Sequence, residues 1–209
     1  MGRTSDAKEK IRAAAEQLIE LRGYSALGVA EICEAAGVPK GSFYYFFKSK
    51  EALALAVIDE HWAAERRGWI QALTSDAEPL HRLRLLFEAT QADLVAGQQS
   101  CGTISGCMFG NLTLELSNQT EPIRERLQQI FNEQAAMVDK VIAEAVERGD
   151  ATVTNTSEAA RSIVALIEGQ VLLAKLYNDT RLLDTLWTNA TALLGAARTP
   201  EVAAVAAAK

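Results

Sequence analysis

A helical period of apolar residues runs through most of this sequence and limits the folds open to it. Its clearest set is Ile11, Ala14, Ala15, Leu18 and Ile19. The i, i+3, i+4, i+7, i+8 spacing places these side chains on one face of a helix. Comparable spacing returns in later segments, and no segment alternates apolar and polar residues long enough to indicate a strand. The pattern predicts an all-α protein.

The N-terminal part of the chain divides into three predicted helices with short turns between them. The first helix opens near Asp6 and ends at Gly23. The second covers about 29–36, and the third covers about 40–47. Pro39 suits the start of the third helix, because the N–H that proline lacks is not needed there. Two helices joined by a short glycine-containing turn form a helix-turn-helix plan.

The rest of the chain is also predicted to be helical. The expected helices cover 49–72, 79–96, 108–116, 121–148, 157–178 and 180–194. Ser49 is the expected N-cap of the first of them. Residues 97–106 are expected to form an irregular connection, and residues 199–209 a frayed or disordered tail. We therefore expect a helix-turn-helix domain over 1–50 and a helical body over 51–198.

The net charge of −6 is unevenly distributed along the chain. Residues 1–50 hold 8 Lys/Arg and 6 Asp/Glu, net +2, whereas the remainder holds 13 and 21, net −8. The stretch 37–50 carries Lys40, Lys48 and Lys50 and no acidic residue. Because local cations neutralise phosphates, the sign of the whole chain matters much less. The segregation favours a small DNA-facing head on an acidic body.

The apolar runs and the cysteines of the sequence indicate the cellular compartment of the protein. No uninterrupted run of about 18 apolar residues occurs, so no membrane span is expected. The N-terminus lacks the apolar core of a secretory signal. We expect a cytoplasmic protein in which Cys33, Cys101 and Cys107 stay reduced. None of these cysteines falls in a zinc-type C-x-x-C pattern, and we expect no metal and no cofactor.

The third helix carries an unusual density of aromatic residues. Phe43, Phe46 and Phe47 occupy i, i+3 and i+4, so they are expected to face inward together. Tyr44 and Tyr45 are then left on the outward side. Hydroxyl and ammonium groups at the start of a helix suit phosphate oxygens. The spacing alone also allows an aromatic helix that packs against another domain.

A longer pattern extends on both sides of this helix. It reads Gly23-Tyr24, then Val29-x-x-Ile32-x-x-Ala35-x-Gly37-Val38-x-Lys40-Gly41-Ser42-Phe43-Tyr44-Tyr45-x-Phe47-Lys48-Ser49-Lys50-Glu51-Ala52-Leu53. This pattern resembles the DNA-binding head of the TetR family. The resemblance implies a three-helix head on an all-α body that binds a small molecule and forms a homodimer. It also implies a transcriptional regulator, usually a repressor that leaves a palindromic double-stranded operator when its effector binds.

The resemblance implies which residues contact DNA. Those expected on or near the recognition helix are Lys40, Gly41, Ser42, Tyr44, Tyr45 and Lys48. Tyr44 and Lys50 match positions that touch phosphate in the family. Gly28 stands where the family usually has Ser or Thr, so it offers no hydroxyl to a phosphate. Arg3 and Thr4 in the N-terminal arm are candidates to compensate.

Apolar stripes in the last two predicted helices indicate a homodimer interface. The residues expected there are Ile163, Leu166, Ile167, Gln170, Val171, Leu183 and Leu186. Two helices from each subunit would form a four-helix interface, the arrangement that the resemblance implies. The alternative is that both stripes pack only within their own subunit.

The body also carries candidate residues for an effector pocket. They are Trp62, Trp69, Phe87, Cys107, Met108, Asn111, Phe131 and Glu168. Each of them could equally be an ordinary core residue. Glu168 stands out because an acidic side chain among apolar neighbours is costly to bury without a partner.

The segment around Cys107 resembles a narrower group of proteins within the same family. Gly106-Cys107 followed by Leu112 and Glu115-x-Ser117 resembles a TetR branch that includes electrophile-responsive and oxidant-responsive repressors. A helix N-terminus lowers the pKa of a thiol and favours the reactive thiolate. Modification of Cys107 is therefore an alternative release mechanism, while a small apolar core residue is the plain interpretation.

Two other classes of function compete with a DNA-binding regulator. An enzyme is disfavoured because the chain has no Ser/His/Asp set or glycine-rich phosphate loop, and only His61 and His81 offer imidazole bases. A partner-binding module that has lost DNA binding stays open, because Gly28 and Phe46 depart from the family pattern. Neither the operator nor the effector follows from the sequence.

Overall fold

The computed structural model describes residues 2–196, and side chains from residue 6 onward. All regular structure in this part of the chain is helical, which confirms the predicted all-α class. The α-helices are α1 (Gly2–Arg22), α2 (Val29–Ala35), α3 (Lys40–Phe46), α4 (Lys50–Leu73), α5 (Pro79–Cys101), α6 (Met108–Leu116), α7 (Glu121–Glu147), α8 (Thr156–Tyr177) and α9 (Leu186–Leu193). A 3-10 helix over Thr180–Thr185 precedes α9. No helix among the described residues is long and apolar enough to cross a membrane.

The chain forms two compact units, and each is discontinuous in sequence. The first unit combines the chain up to Arg66 with Ser105–Ile130. The second unit combines Arg67–Ile104 with the described chain from Phe131 onward. The predicted head thus shares its unit with α6, the beginning of α7 and most of α4.

Five helices of the first unit contribute fully buried apolar residues. The fully buried residues of this unit include Ile11, Ala15, Phe43, Val57, Ile58, Phe109, Leu116, Ile123 and Ile130. These residues come from α1, α3, α4, α6 and α7, so α6 and α7 supply core residues together with the head helices. Burial of such side chains stabilises each by about 1.5–3 kcal/mol relative to exposure.

The first helix begins earlier than its sequence pattern predicted. Asp6 was expected at its start, but α1 runs from Gly2, and Asp6 instead pairs with Lys10 one turn later, at 2.8 Å. An acidic residue can stabilise the interior of a helix through an i, i+4 ion pair, so Asp6 did not have to mark the first turn. Gly23, at φ +78°, ends α1 as expected.

The irregular connection expected over 97–106 is helical for its first half. Helix α5 continues through Gly97 to Cys101, and Gly102 at φ +76° ends it. A glycine within a helix costs about 1 kcal/mol, which the helical turns on either side of Gly97 offset. Cys101, predicted on a loop, is therefore the exposed last residue of α5.

Asn178 ends α8, and the predicted helix 180–194 that follows is divided into a 3-10 helix, Thr180–Thr185, and α9. Asn178 adopts the left-handed conformation, φ +51°, immediately after α8. Its side chain accepts a hydrogen bond from the Ile104 amide at 3.0 Å and donates to the Gly102 carbonyl at 3.0 Å. The chain restarts as a 3-10 helix, with the Asp179 carboxylate accepting from the Arg181 amide at 3.0 Å. The predicted tail 199–209 lies outside the described residues.

Candidate nucleic-acid interface

Two buried phenylalanines anchor α3 in the head. Phe43 is fully buried and Phe47 is 4% exposed, with ring centroids 5.8 Å apart. Tyr44 and Tyr45 point outward and are 59% and 75% exposed. Phe46, predicted to face inward with the others, is half-buried, and its ring meets Tyr45 edge to face at 4.8 Å. One face of α3 is therefore fixed in the core, and the opposite face presents phenol groups.

Two of the three cations of this segment, Lys40 and Lys48, are exposed to solvent. Gly41 is also exposed, and Ser42 is half-buried. A Cβ added to Gly41 would meet no atom within 4 Å, so internal packing does not require glycine there. Because glycine has no side chain, a phosphate can approach the backbone closely at the start of α3. The surface formed by Lys40, Tyr44, Tyr45 and their neighbours has the chemistry of a DNA contact.

The turn between α2 and α3 is closed by a glycine C-cap. Gly37 lies at φ +64°, and its amide donates to the Glu34 carbonyl at 3.0 Å. The Val38 amide donates to the Cys33 carbonyl, also at 3.0 Å. This pair of bonds is the Schellman arrangement, which fixes the direction in which the chain leaves α2. The angle between the two helices is therefore set by backbone hydrogen bonds.

Lys50 makes internal contacts that the sequence did not predict. Its Nζ donates to the Tyr24 carbonyl at 3.0 Å and to the Leu27 carbonyl at 2.9 Å. The ammonium group also lies 4.0 Å from the centroid of the Tyr24 ring. Burial lowers the pKa of Lys50, and the nearby Glu115 carboxylate opposes that shift. Because an ammonium group has three N–H donors, one remains for the phosphate contact expected at this position.

Gly28 is the N-cap of α2 and leaves that helix without a side-chain cap. It is extended, at φ −101° and ψ 150°, and no side-chain oxygen accepts from the first turn. A Cβ there would meet nothing within 4 Å. The site therefore accepts a serine sterically, in the backbone conformation that N-capping serines adopt. Of the other expected DNA contacts, Arg3 and Thr4 have side chains outside the described part of the structure.

We expect Gly28→Ser to raise the free energy of unfolding by a few tenths of a kcal/mol, since its hydroxyl would accept an orphan amide of α2. Urea denaturation of the two proteins measures the difference. Gly28→Ala is the matched control, because it adds a Cβ without an acceptor and should be about 1 kcal/mol less stable than the serine variant. Equal stability of the serine and alanine variants would contradict capping.

Four predicted effector residues lie in the first unit. Trp62 and Met108 are buried, and the Trp62 ring meets Phe109 edge to face at 6.0 Å. Asn111 is half-buried and donates to the Ser105 carbonyl at 3.0 Å. Cys107 is the N-cap of α6, and its sulfur accepts from the Gly110 amide at 3.4 Å. The sequence thus placed Cys107 correctly at a helix start.

The other four predicted effector residues lie in the second unit. Trp69 and Phe87 are buried, and Phe131 and Glu168 are half-buried. The ring of Phe87 lies 6.4 Å from that of Trp187, which sequence reasoning did not single out. An aromatic residue within a leucine-rich segment was the signal that could have found Trp187. The role of these residues in ligand binding stays a prediction.

Most residues of the predicted dimer stripes are buried within the chain itself, and their place in a dimer interface stays a prediction. Ile163, Ile167, Val171, Leu183 and Leu186 are at most 5% exposed, and Leu166 and Gln170 are half-buried. A side chain already covered by its own subunit has little surface left for a partner. The exposed apolar and glycine residues of α8 are others: Ala165, Gly169, Leu172, Leu173, Leu176 and Tyr177. Of these, Leu176 and Tyr177 are 70% and 69% exposed.

Comparison with known proteins agrees with the three-helix head and the helical body. Residues 11–57 match the family of bacterial regulatory proteins of the tetR type, and residues 79–190 match the tetracyclin repressor-like C-terminal domain. The chain is 34% identical, over 182 residues, to an uncharacterised helix-turn-helix transcriptional regulator from the lacX 3′ region of Lactococcus lactis subsp. lactis. That match covers 86% of this chain and 89% of the relative.

A repressor of Escherichia coli is similar in both sequence and structure. The helix-turn-helix transcriptional repressor NemR of strain K12 is 36% identical over 146 residues, which covers 69% of each chain. The crystal structure of E. coli NemR in its reduced form superimposes with a TM-score of 0.81 and 27% identity, covering 93% of this chain and all of NemR. The protein is thus a helix-turn-helix DNA-binding transcriptional regulator. It belongs to the TetR family.

Proposed function

We propose that the protein is a homodimeric repressor that leaves its operator when a small molecule binds the helical body. The exposed surface of α3 carries this proposal. Lys40, Tyr44 and Tyr45 present an ammonium group and two hydroxyls on a helix that Phe43 and Phe47 hold rigidly from behind. Rigid placement matters because base edges are read only when the side chains enter the major groove in a fixed orientation.

The outward face of α8 supports dimer formation with a second copy of the chain. Leu172, Leu173, Leu176 and Tyr177 form an apolar patch at one end of the helix. Gly169 leaves the adjoining turn without a side chain, so a second helix could approach closely there. Exposed apolar patches of this kind mark interfaces between proteins. A two-fold dimer also matches DNA geometry, since it places two recognition helices about 34–36 Å apart on a palindromic site.

The proposal predicts tight and salt-dependent DNA binding. Binding sites selected from genomic fragments, beginning with the DNA next to its own gene, should share a palindrome. Fluorescence anisotropy on that duplex should then show log affinity falling linearly with log salt, because bound cations release counterions from phosphates. A selection that enriches no sequence, together with affinity equal to that for random DNA, would favour the partner-module alternative.

Cys107 supports a second mode of release, by covalent modification. Its sulfur caps α6 through the Gly110 amide, and the side chain is half-buried rather than sealed in the core. With p-benzoquinone, the thiolate would form a carbon–sulfur bond to the ring. The displaced electron pair moves to a carbonyl oxygen, which takes a proton from water. The ring carbon that bears sulfur then loses its proton, and the second carbonyl oxygen takes one up, which yields the hydroquinone adduct. A bulky thioether is a weaker acceptor than a thiolate, so the cap of α6 would be lost.

We expect Cys107→Ser to bind the operator like the unmodified protein but to stay bound when p-benzoquinone is added. Serine is a good N-cap, so the variant keeps α6 intact and loses only the nucleophile. Anisotropy with and without the quinone measures the release. The matched control is Cys101→Ser, which removes an exposed thiol outside α6 and should respond as before. Quinone release that persists in Cys107→Ser would exclude Cys107 as the reactive site.

A further inference from the structure

A carboxylate from α6 holds the turn between α1 and α2. Both oxygens of Glu115 accept backbone hydrogen bonds, from the Tyr24 amide at 3.0 Å and from the Ser25 amide at 2.5 Å. These groups are about 90 residues apart in sequence and lie within the first unit. Charge-assisted bonds of this kind are roughly twice as strong as neutral ones. The turn is therefore fixed to α6 by a specific contact.

The same turn is held from α4 by Lys50. Its ammonium group bonds the carbonyls of Tyr24 and Leu27, while Glu115 bonds the amides of Tyr24 and Ser25. Burial works to raise the pKa of Glu115, but the hydrogen bonds from Ser25 and Tyr24 and the charge of Lys50 bring it below its ordinary value. The carboxylate is thus ionised at neutral pH. We call these two side chains and the residues they bind the turn clasp.

Gly23 allows this approach in two ways. Its φ of +78° is a conformation that residues with a Cβ rarely adopt. A Cβ at this position would also lie 3.1 Å from Glu115 Oε2, closer than ordinary contact. The glycine that ends α1 therefore also leaves room for the carboxylate.

The turn clasp bears on DNA binding through the chain that follows it. Leu27, bonded by Lys50, directly precedes Gly28, the N-cap of α2, and the Schellman turn at Gly37 fixes α3 relative to α2. We propose that Glu115 is a positioning residue for operator binding, which holds the helix-turn-helix in register with α6. This inference rests on the proposed function.

The geometry of α6 makes the clasp sensitive to events at the other end of that helix. Cys107 caps its N-terminus, and Glu115 lies eight residues later, about 12 Å along the axis. We expect a helix of only nine residues to shift as a unit. Bonds of 2.5 and 3.0 Å to Ser25 and Tyr24 fail when the separation grows by about 1 Å, since hydrogen bonds weaken steeply beyond about 3.5 Å. A small axial shift of α6 would therefore release the turn.

Glu115→Gln tests the proposal with little change in volume. A carboxamide has one acceptor oxygen, so one of the two backbone amides would face an NH2 group and lose its bond. We expect operator affinity, measured by anisotropy, to fall about tenfold. Hydrogen exchange at the Tyr24 and Ser25 amides should accelerate at least tenfold, while amides in the middle of α7 keep their protection. Glu125→Gln, an exposed acid in the same unit, is the control for the lost charge and should match the unmodified protein.

The two readouts separate this proposal from the function on which it rests. Unmodified protein that binds no operator would refute the proposed function, and the exchange rates alone would then decide whether the clasp exists. Unchanged exchange at Tyr24 and Ser25 in Glu115→Gln would overturn the clasp. Faster exchange with unchanged operator affinity would show that the contact is structural and does not position the head, which overturns the proposal. Uniformly faster exchange across the first unit, with the same loss in Glu125→Gln, would overturn it as well.

Discussion

Operator affinity of a Lys40→Ala/Tyr44→Ala double variant falls about 100-fold, because each side chain removed from a specific DNA interface costs about 1–3 kcal/mol. Both residues lie on the exposed face of α3, and Tyr44 is 59% exposed. Their loss therefore removes contacts without opening the core. The slope of log affinity against log salt should also become shallower by about 1, since one phosphate-neutralising cation is gone. Fluorescence anisotropy on the selected operator at several salt concentrations measures both quantities.

Controls distinguish a lost contact from a damaged fold. The far-ultraviolet circular dichroism and the thermal midpoint of the double variant should match those of the unmodified protein. Lys140→Ala removes an exposed lysine from α7 in the second unit and should leave both affinity and salt slope unchanged. Affinity of the double variant within about twofold of the original, at the same salt concentration, would mean that α3 does not read DNA.

A charge on the outward face of α8 should separate the subunits. In Leu176→Glu, two-fold symmetry would bring a carboxylate from each chain into an apolar interface, and an unpaired buried charge costs several kcal/mol. We expect the dimer dissociation constant to rise at least 100-fold, about 3 kcal/mol. Analytical ultracentrifugation measures the shift to monomer. Operator affinity should fall by a similar factor, because a monomer occupies one half-site at a time.

Leu114→Glu provides the matched control for this substitution. Leu114 on α6 is 76% exposed, so the control also places a glutamate at an exposed leucine of a helix. It should leave the sedimentation coefficient of the dimer unchanged. If Leu176→Glu is still a dimer at micromolar concentration, the exposed face of α8 is not the dimer interface.

The helices were predictable because their signals are local. Helix α6 begins and ends where apolar spacing placed it, at Met108 and Leu116. The predicted N-cap at Ser49 is confirmed by its hydroxyl, which accepts from the Ala52 amide at 3.0 Å. Caps and periodic faces act over three or four residues, so one sequence contains them in full.

The proposed dimer face on α8 was not predictable from the same signals. An apolar stripe has the same period whether it packs on its own subunit or on a partner. Helix α8 carries both kinds of face, with Ile167 and Val171 buried and Leu172 and Leu176 exposed. The more regular stripe is the one that is buried within the chain. Only the three-dimensional position of the neighbouring helices separates the two.

The contacts of Lys50 and Glu115 were beyond sequence reasoning for a different reason. Their partners are backbone carbonyls and amides of Tyr24, Ser25 and Leu27, which every residue type carries. The sequence letters do not distinguish one backbone group from another. A side chain that binds a backbone group therefore has no partner residue that the sequence could identify. The resemblance around Glu115 and Ser117 drew attention to the segment without showing what it contacts.

The discontinuous first unit sets a rule for building chimeric regulators from this protein. A graft of residues 1–50 onto another body would take Tyr24 and Ser25 away from Glu115. It would also separate the head helices from Ser105–Ile130, with which they form one compact unit. The transplanted head would then carry two backbone amides that have lost their acceptor. A transferable module must instead include Ser105–Ile130, so that specificity moves between regulators as two segments rather than one.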